Sequence, residues 1–183
     1  MQQNFEEMQS CYVQLRGKCN QQLFETEIQK MKILNIAVMC RDDTGVQVLA
    51  YCVLDNEMHL VLRAQNAEQV ECFSNNLIME YETTVIKTVT CQKVFRKPIL
   101  HKLTKEKQTE RYCVRVHLLP VGLGFVDKPE DYWWCSYRDY LGRRWLPLTS
   151  VGHLLSRMDD EPRKAMRRIR SLHQRTNREV STI

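Results

Sequence analysis

No stretch of this 183-residue chain approaches the roughly 20 consecutive apolar residues that a membrane-spanning helix requires. The opening residues Met1 to Glu7 also lack the basic-then-apolar order of a secretory signal. These two absences lead to the expectation of a cytoplasmic protein that does not enter membranes. The eight cysteines, at 11, 19, 40, 52, 72, 91, 113 and 135, stand singly, without a Cys-x-x-Cys pair to seed a zinc or dithiol site. They read as reduced thiols acting as small apolar residues, since a disulfide framework does not suit a cytoplasmic chain of this size. Internal repeats and low-complexity linkers are absent as well. At 43% hydrophobic, the chain can bury one substantial core, or a main domain with a small appendage.

Acidic residues are missing from one stretch in particular. Between 163 and 178 lie Arg163, Lys164, Arg167, Arg168, Arg170, Arg175 and Arg178 with no acid among them. A second basic zone between 93 and 115 holds Lys93, Arg96, Lys97, Lys102, Lys105, Lys107, Arg111 and Arg115 against only Glu106 and Glu110. The net charge of +5 is therefore unevenly spread. Such zones suit a polyanion, because each neutralised phosphate releases counterions; a solvated helix face is the plainer explanation for either run alone.

Hydrophobic periodicity places strands and helices under these charges. Residues 11–16 alternate as a strand, and Ile28, Met31, Ile33, Leu34, Ala37 and Val38 repeat at helical spacing over 25–40. Asp42-Asp43-Thr44-Gly45 reads as a turn into a strand over 46–53, which pairs with a strand at 58–63 across Asp55-Asn56. Asn66 is suited to cap a helix whose Val70, Phe73, Leu77, Tyr81 and Thr84 form one stripe. A strand-like piece follows near 88–100, then a helix from Thr104 that should stop before Pro120. This order is compatible with an α+β, ferredoxin-like antiparallel sheet covered by helices, occupying 1–126. Residues 127–183 read as a C-terminal helical extension packed on that core and basic at its end. A helix should start at Pro129, with Glu130 and Asp131 favoured by its positive end. Trp133, Trp134, Tyr137 and Tyr140 supply an aromatic surface for packing, one of them being a candidate for base stacking. Residues 147–156 and 161–176 read as two further helices.

One strand carries residues with chemistry. In Glu57-Met58-His59, alternation sends the carboxylate and the imidazole to one face and the methionine to the other, which makes half of a divalent-metal site. The surrounding Tyr51-Cys52-Val53-Leu54-Asp55-Asn56-Glu57-Met58-His59-Leu60-Val61-Leu62 resembles the metal-binding strand of single-tyrosine HUH transposases, above all the REP-associated tyrosine transposases. In that family the triplet is His-hydrophobe-His. Cys11-Tyr12-Val13-Gln14-Leu15-Arg16-Gly17 looks like the family's opening strand. Val116-His117-Leu118-Leu119-Pro120-Val121 is similar to its Ile-His-x-Asn-Pro-Val block, and Pro129-Glu130-Asp131-Tyr132-Trp133-Trp134-Cys135-Ser136-Tyr137 to its Pro-Glu-Asp-Tyr-x-Trp-Ser-Ser-Tyr run.

The resemblance implies an enzyme in which a tyrosine attacks a DNA phosphorus while a metal polarises the phosphate. This chain departs from that pattern where the chemistry lies. Arg115 stands at the tyrosine position, Leu119 at the asparagine that completes the metal site, and Glu57 at one metal-binding histidine; only His59 is kept. Arginine stays protonated and is no nucleophile, and leucine has no donor atom. Glu57 and His59 could hold Mg²⁺ or Mn²⁺, hard ions that accept carboxylate, although the expectation is that no cofactor binds. Tyr112, three residues before Arg115 and on the same helix face, is the alternative nucleophile. The expected function is therefore a degenerate, transposase-like protein, a monomer with a dimer as the alternative, that binds single-stranded or hairpin DNA without cleaving it. Arg16, Lys93, Arg96, Lys97, Lys102 and Arg115 are the expected backbone contacts. An active metal-dependent nickase using Tyr112, and a protein- or RNA-interaction module derived from a transposase, are the alternatives.

Overall fold

The structure is a computed structural model that describes residues 8–86 and 93–180. The signal-sequence reading at 1–7, the first part of the strand expected near 88–100, Cys91 and the side chain of Arg178 lie outside the described residues. The first half of the chain forms β1 (Gln9–Arg16), α1 (Glu27–Thr44), β2 (Gln47–Val53), β3 (Glu57–Ala64), α2 (Ala67–Tyr81) and β4 (Ile99–Leu103). Four helices follow: α3 (Glu106–Gly122), α4 (Tyr137–Tyr140), α5 (Val151–Met158) and α6 (Pro162–Val180). The strands make one sheet in the order β2-β3-β1-β4, with every pairing antiparallel. This is the α+β, ferredoxin-like arrangement expected from the sequence.

Local chemistry explains most boundaries. Thr26 and Gln29 close a reciprocal capping box at the start of α1, and Asn66 accepts from the Gln69 N–H at the start of α2. Helix α1 continues through Asp42-Asp43-Thr44, which the sequence reads as a turn, because Gly45 takes a left-handed φ of 71° and caps the helix four residues later than expected. Helix α3 does not stop before Pro120. It starts at Glu106 and includes the proline in its final turn, where a missing N–H removes a single bond; Leu123 N–H and Phe125 N–H then close the end on Leu119 and Pro120.

The segment after Pro129 differs most from expectation. Only a single 3₁₀ turn, Pro129–Asp131, forms there, and the backbone over 134–136 then runs along the outer edge of β2. Val53 N–H donates to Trp134 O at 2.9 Å and Ser136 N–H to Tyr51 O at 3.0 Å, so this stretch caps an otherwise open sheet edge. Tyr132 and Tyr140 reinforce it by donating their hydroxyls to Val53 O and Leu49 O at 2.9 and 2.6 Å. Edge pairing satisfies more buried backbone than a longer helix would, which accounts for the extended conformation.

The sheet is buried on both faces. Val13, Leu15, Met58, Leu60 and Leu62 pack beneath α1 and α2. Residues of the opposite face, with Leu49, Cys52 and Val61, share a second core with α3 and with Tyr132, Tyr137, Tyr140, Leu154 and Ile169 of the extension. The aromatic run thus serves packing through Tyr137 and Tyr140, whereas Trp133 is 56% exposed beneath the Arg138 guanidinium. Helix α6 buries Ala165, Ile169 and His173 at four-residue intervals and shows Arg163, Arg167, Arg168, Arg170 and Arg175 to solvent. All seven described cysteines are free thiols, and no described helix is long and apolar enough to cross a membrane.

A buried imidazole chain ties α6 to the core. His173 Nδ1 lies 2.7 Å from Ile169 O, His173 Nε2 lies 2.9 Å from His117 Nδ1, and His117 Nε2 lies 2.8 Å from Ser136 Oγ. Burial holds His117 well below the ordinary histidine range and lowers His173 to about 4 from an ordinary 6.5. The unfolded chain therefore takes up protons at a higher pH than the folded one. Stability from these residues is complete above pH 6.5 and is lost as pH falls toward 4, His173 alone contributing on the order of 3 kcal/mol. Urea unfolding should show that loss between pH 7 and 4.5, with a smaller slope in His173→Gln; a flat profile in the wild type would contradict it.

Candidate nucleic-acid interface

The central strand pair sets out a polar row on the α3 side of the sheet. Tyr12, Gln14 and Arg16 alternate along β1, and the β1–β3 register places Gln14 opposite His59 and Arg16 opposite Glu57. The side chains connect accordingly. Tyr12 Oη lies 2.6 Å from His59 Nδ1, His59 Nε2 faces Glu57 Oε1 at 3.1 Å, and Glu57 Oε2 accepts from Gln14 Nε2 at 2.7 Å and Arg16 Nε at 3.0 Å. Tyr12, Gln14, Arg16 and Glu57 are partly exposed, the Arg16 side chain 39% against 13% for Glu57, whereas His59 is buried at 5%.

Helix α3 lies over this row. The Tyr112 ring packs 5.2 Å from Tyr12 and 5.7 Å from His101, filling the space above β1 and β4. One turn further on, Arg115 is exposed and near enough for its charge to act on Tyr12, whose hydroxyl pKa is raised by burial against that influence. Leu119 is half-buried in the second core. Arg115, Tyr112, Glu57 and His59 are thus brought to one face, as the resemblance implies. Tyr12, Gln14 and His101 join them unannounced; the signal for the first two was the polar-apolar alternation Tyr12-Val13-Gln14-Leu15-Arg16.

Contact with His59, helped by Gln14 and Arg16, lowers the Glu57 carboxyl to about 2 in spite of its burial. That carboxylate is the chief test of whether a divalent ion fits. One of its oxygens is shared by Gln14 and by a guanidinium that already supplies positive charge; the other faces His59. Leu119 offers nothing, and no group of three His, Cys, Asp or Glu side chains suited to a metal occurs among the described residues. The donor set is incomplete and internally paired, so these residues do not fit the ion that the family resemblance implies.

The remaining cations divide into two places. The 93–98 segment is held to the end of β1 by Arg96 N–H donating to Arg16 O at 2.8 Å, and carries exposed Lys93, Arg96 and Lys97. Lys102 does not join them. It pairs with Cys11 across the sheet and lies beside Val70 and Glu71 of α2, on the face away from His59 and Arg115.

No family model matches the chain, and no curated protein matches it. Among solved structures, it is similar to a REP-associated tyrosine transposase bound to a REP hairpin, with a TM-score of 0.58 and 12% identity over 76% of this chain and 83% of that one. A Deinococcus radiodurans protein assigned as a transposase matches with a TM-score of 0.47 and 10% identity over 63% of this chain and 96% of that one. The chain accordingly has a transposase-like fold, and identity at this level speaks to the fold alone.

Removing the Glu57 charge should expose how much the paired network stabilises the sheet. Glu57→Gln is expected to lose about 1–3 kcal/mol at pH 7 by leaving Arg16 and His59 without their partner. Because the folded carboxyl titrates near 2 and an ordinary one near 4.5, the wild-type advantage should disappear as pH falls across that window. In thermal melts, Mg²⁺ or Mn²⁺ should shift Tm no more than an ionic-strength-matched monovalent salt.

Proposed function

We propose that this protein binds single-stranded or hairpin DNA with the α3 side of its sheet and does not cut it by the metal-and-tyrosine route. The observation that carries the reading is Arg115: an exposed guanidinium on α3, beside Tyr12 and above the Glu57–His59 row, where the resemblance implies a nucleophile. Glu57 is already ion-paired with Arg16, so it does not cancel that charge. A phosphate reaching this face meets a fixed cation with five donors. The solved structure of similar fold is itself bound to a hairpin, which supports the class of partner. Arg16, Lys93, Arg96 and Lys97 extend the cationic surface past the end of β1; Lys102 has no place in it. The protein acts as a monomer in the cytoplasm under this reading.

A working nucleophile at Tyr112 is the competing account, since its ring reaches the same face. Phosphoryl transfer demands in-line placement, and an error of about 1 Å can cost on the order of a hundredfold. Tyr112 is packed between Tyr12 and His101. Neither neighbour is a base bonded to its hydroxyl among the described residues.

Fluorescence anisotropy with a labelled DNA hairpin tests both. Affinity should fall steeply with salt, and Arg115→Ala should weaken it by about 1–3 kcal/mol, the loss of one charge-assisted contact. Incubation with Mg²⁺ or Mn²⁺ should leave no covalent protein–DNA adduct on a denaturing gel. Unchanged affinity in Arg115→Ala would remove the phosphate-binding role, and an adduct lost in Tyr112→Phe would restore the enzyme.

A further inference from the structure

Apart from the Glu57–His59 row, a groove of about 730 Å³ lies between the C-terminal half of α2 and the 93–98 segment. Its floor is built firmly. Gly17 pairs with Phe95, Lys18 N–H donates to Val94 O at 2.8 Å, and the Phe95 ring packs against Tyr81 and Phe24 at 5.9 and 6.1 Å. Glu82 is the one acid in the lining among the described residues, and its Oε1 accepts from the N–H groups of Val94 and Phe95 at 2.8 and 3.2 Å. Its charge is spent on holding the segment in place.

The rim is cationic and unpaired. Lys18, Lys93, Arg96 and Lys97 are exposed, and none makes an ion pair among the described residues. On the α2 wall stand Met79, which is 53% exposed, and the amides of Asn75 and Asn76. Charge alone would suit any polyanion. An exposed thioether flanked by side-chain amides adds an apolar contact for a flat ring and donors and acceptors for its edge, and a base offers ring and edge together only when it is unpaired. A paired duplex presents phosphates to such a groove but keeps its base faces stacked.

We propose that this groove seats an unpaired nucleic-acid strand, with phosphates along Lys18, Arg96 and Lys97 and a base against Met79. The proposal rests on reading the chain as a nucleic-acid binder and gives it a second contact surface, reached from the Arg115 face around the end of β1 through Arg16 and Arg96. The groove recognises the features DNA and RNA share, phosphate and an exposed base; the sugar is left to the experiment.

The test compares three labelled probes by anisotropy: a 12-nucleotide oligothymidylate, its oligouridylate counterpart, and a DNA hairpin without overhang. In the triple variant Lys18→Ala, Arg96→Ala, Lys97→Ala, affinity for the preferred oligonucleotide should fall at least tenfold. Its salt slope should shrink by about 2, three contacts at roughly 0.7 each for a single strand. Hairpin affinity should fall as well, since Arg96 and Lys97 also extend the Arg115 face, but by a smaller factor than oligonucleotide affinity. Met79→Asp should weaken the oligonucleotide alone. Preference for either oligonucleotide supports the groove and identifies the sugar. Equal losses on all probes would reveal a general charge effect, and displacement of oligothymidylate by polyglutamate at equal charge would point to an acidic protein; either overturns the proposal. Loss of hairpin binding with oligonucleotide binding intact would overturn the hairpin reading and leave the groove standing, whereas a wild type that binds no probe would end both.

Discussion

The antiparallel pairing of β1 with β3 is the constraint on which the rest depends. It occupies the middle of the sheet, and its register sets Gln14 against His59 and Arg16 against Glu57. A slip of one residue would carry Glu57 and His59 into the apolar layer under α1 and α2 and push Met58 and Leu60 out, so the two-residue period leaves little freedom. Burial of Val13, Leu15, Met58, Leu60 and Leu62 on one face therefore fixes the polar chemistry of the other. The hydrophobic effect supplies the drive, and the ion pairs take the positions it leaves them.

That division gives the C-terminal extension its purpose. Helix α3 needs a platform to hold Arg115 above the polar row, and the second core supplies one from Tyr132, Tyr137, Tyr140 and Ile169. The same extension pairs backbone with the free edge of β2 and locks α6 to α3 through His117 and His173. Edge strands invite pairing with other chains. Here the chain covers one such edge itself, leaving β4, beside the cationic segment, as the edge nearest solvent.

The order of strands and helices along the chain, the β2–β3 pairing and the cap of α2 were legible in the sequence because each rests on local signals: alternation in β1 and β3, Asn66 before α2, a turn at Asp55-Asn56. The segment after Pro129 was not. Its acids and proline suggest a helix start, but the deciding factor is the unpaired edge of β2, about 80 residues earlier in the chain, which no local pattern reports. Pro120 misled for a related reason, since a rule about helix interiors has little force in a final turn. Among site residues, Glu57, His59 and Arg115 were legible through motif and spacing. The bond from Tyr12 to His59 joins residues 47 apart and could be inferred only once the register was known. Lys102 looked like its basic neighbours, yet strand alternation turns it to the other face.

The residues that depart from the family pattern also make sense together as a distribution of charge. In the arrangement the resemblance implies, a divalent ion neutralises the phosphate and is itself held by uncharged imidazoles. In this chain a carboxylate replaces one imidazole, which would burden the face with a negative charge were it left alone. Arg16 offsets it locally, and contact with His59, helped by Gln14 and Arg16, holds the Glu57 carboxyl below its ordinary range. Arg115 is then left over as a permanent positive charge that no internal acid claims among the described residues. A fixed guanidinium attracts a phosphate as a metal does, but it lacks the vacant coordination sites through which an ion polarises a bond in the transition state. Ground-state attraction without differential stabilisation is binding, and that is the physical ground on which, under the proposed function, this fold holds DNA without cutting it.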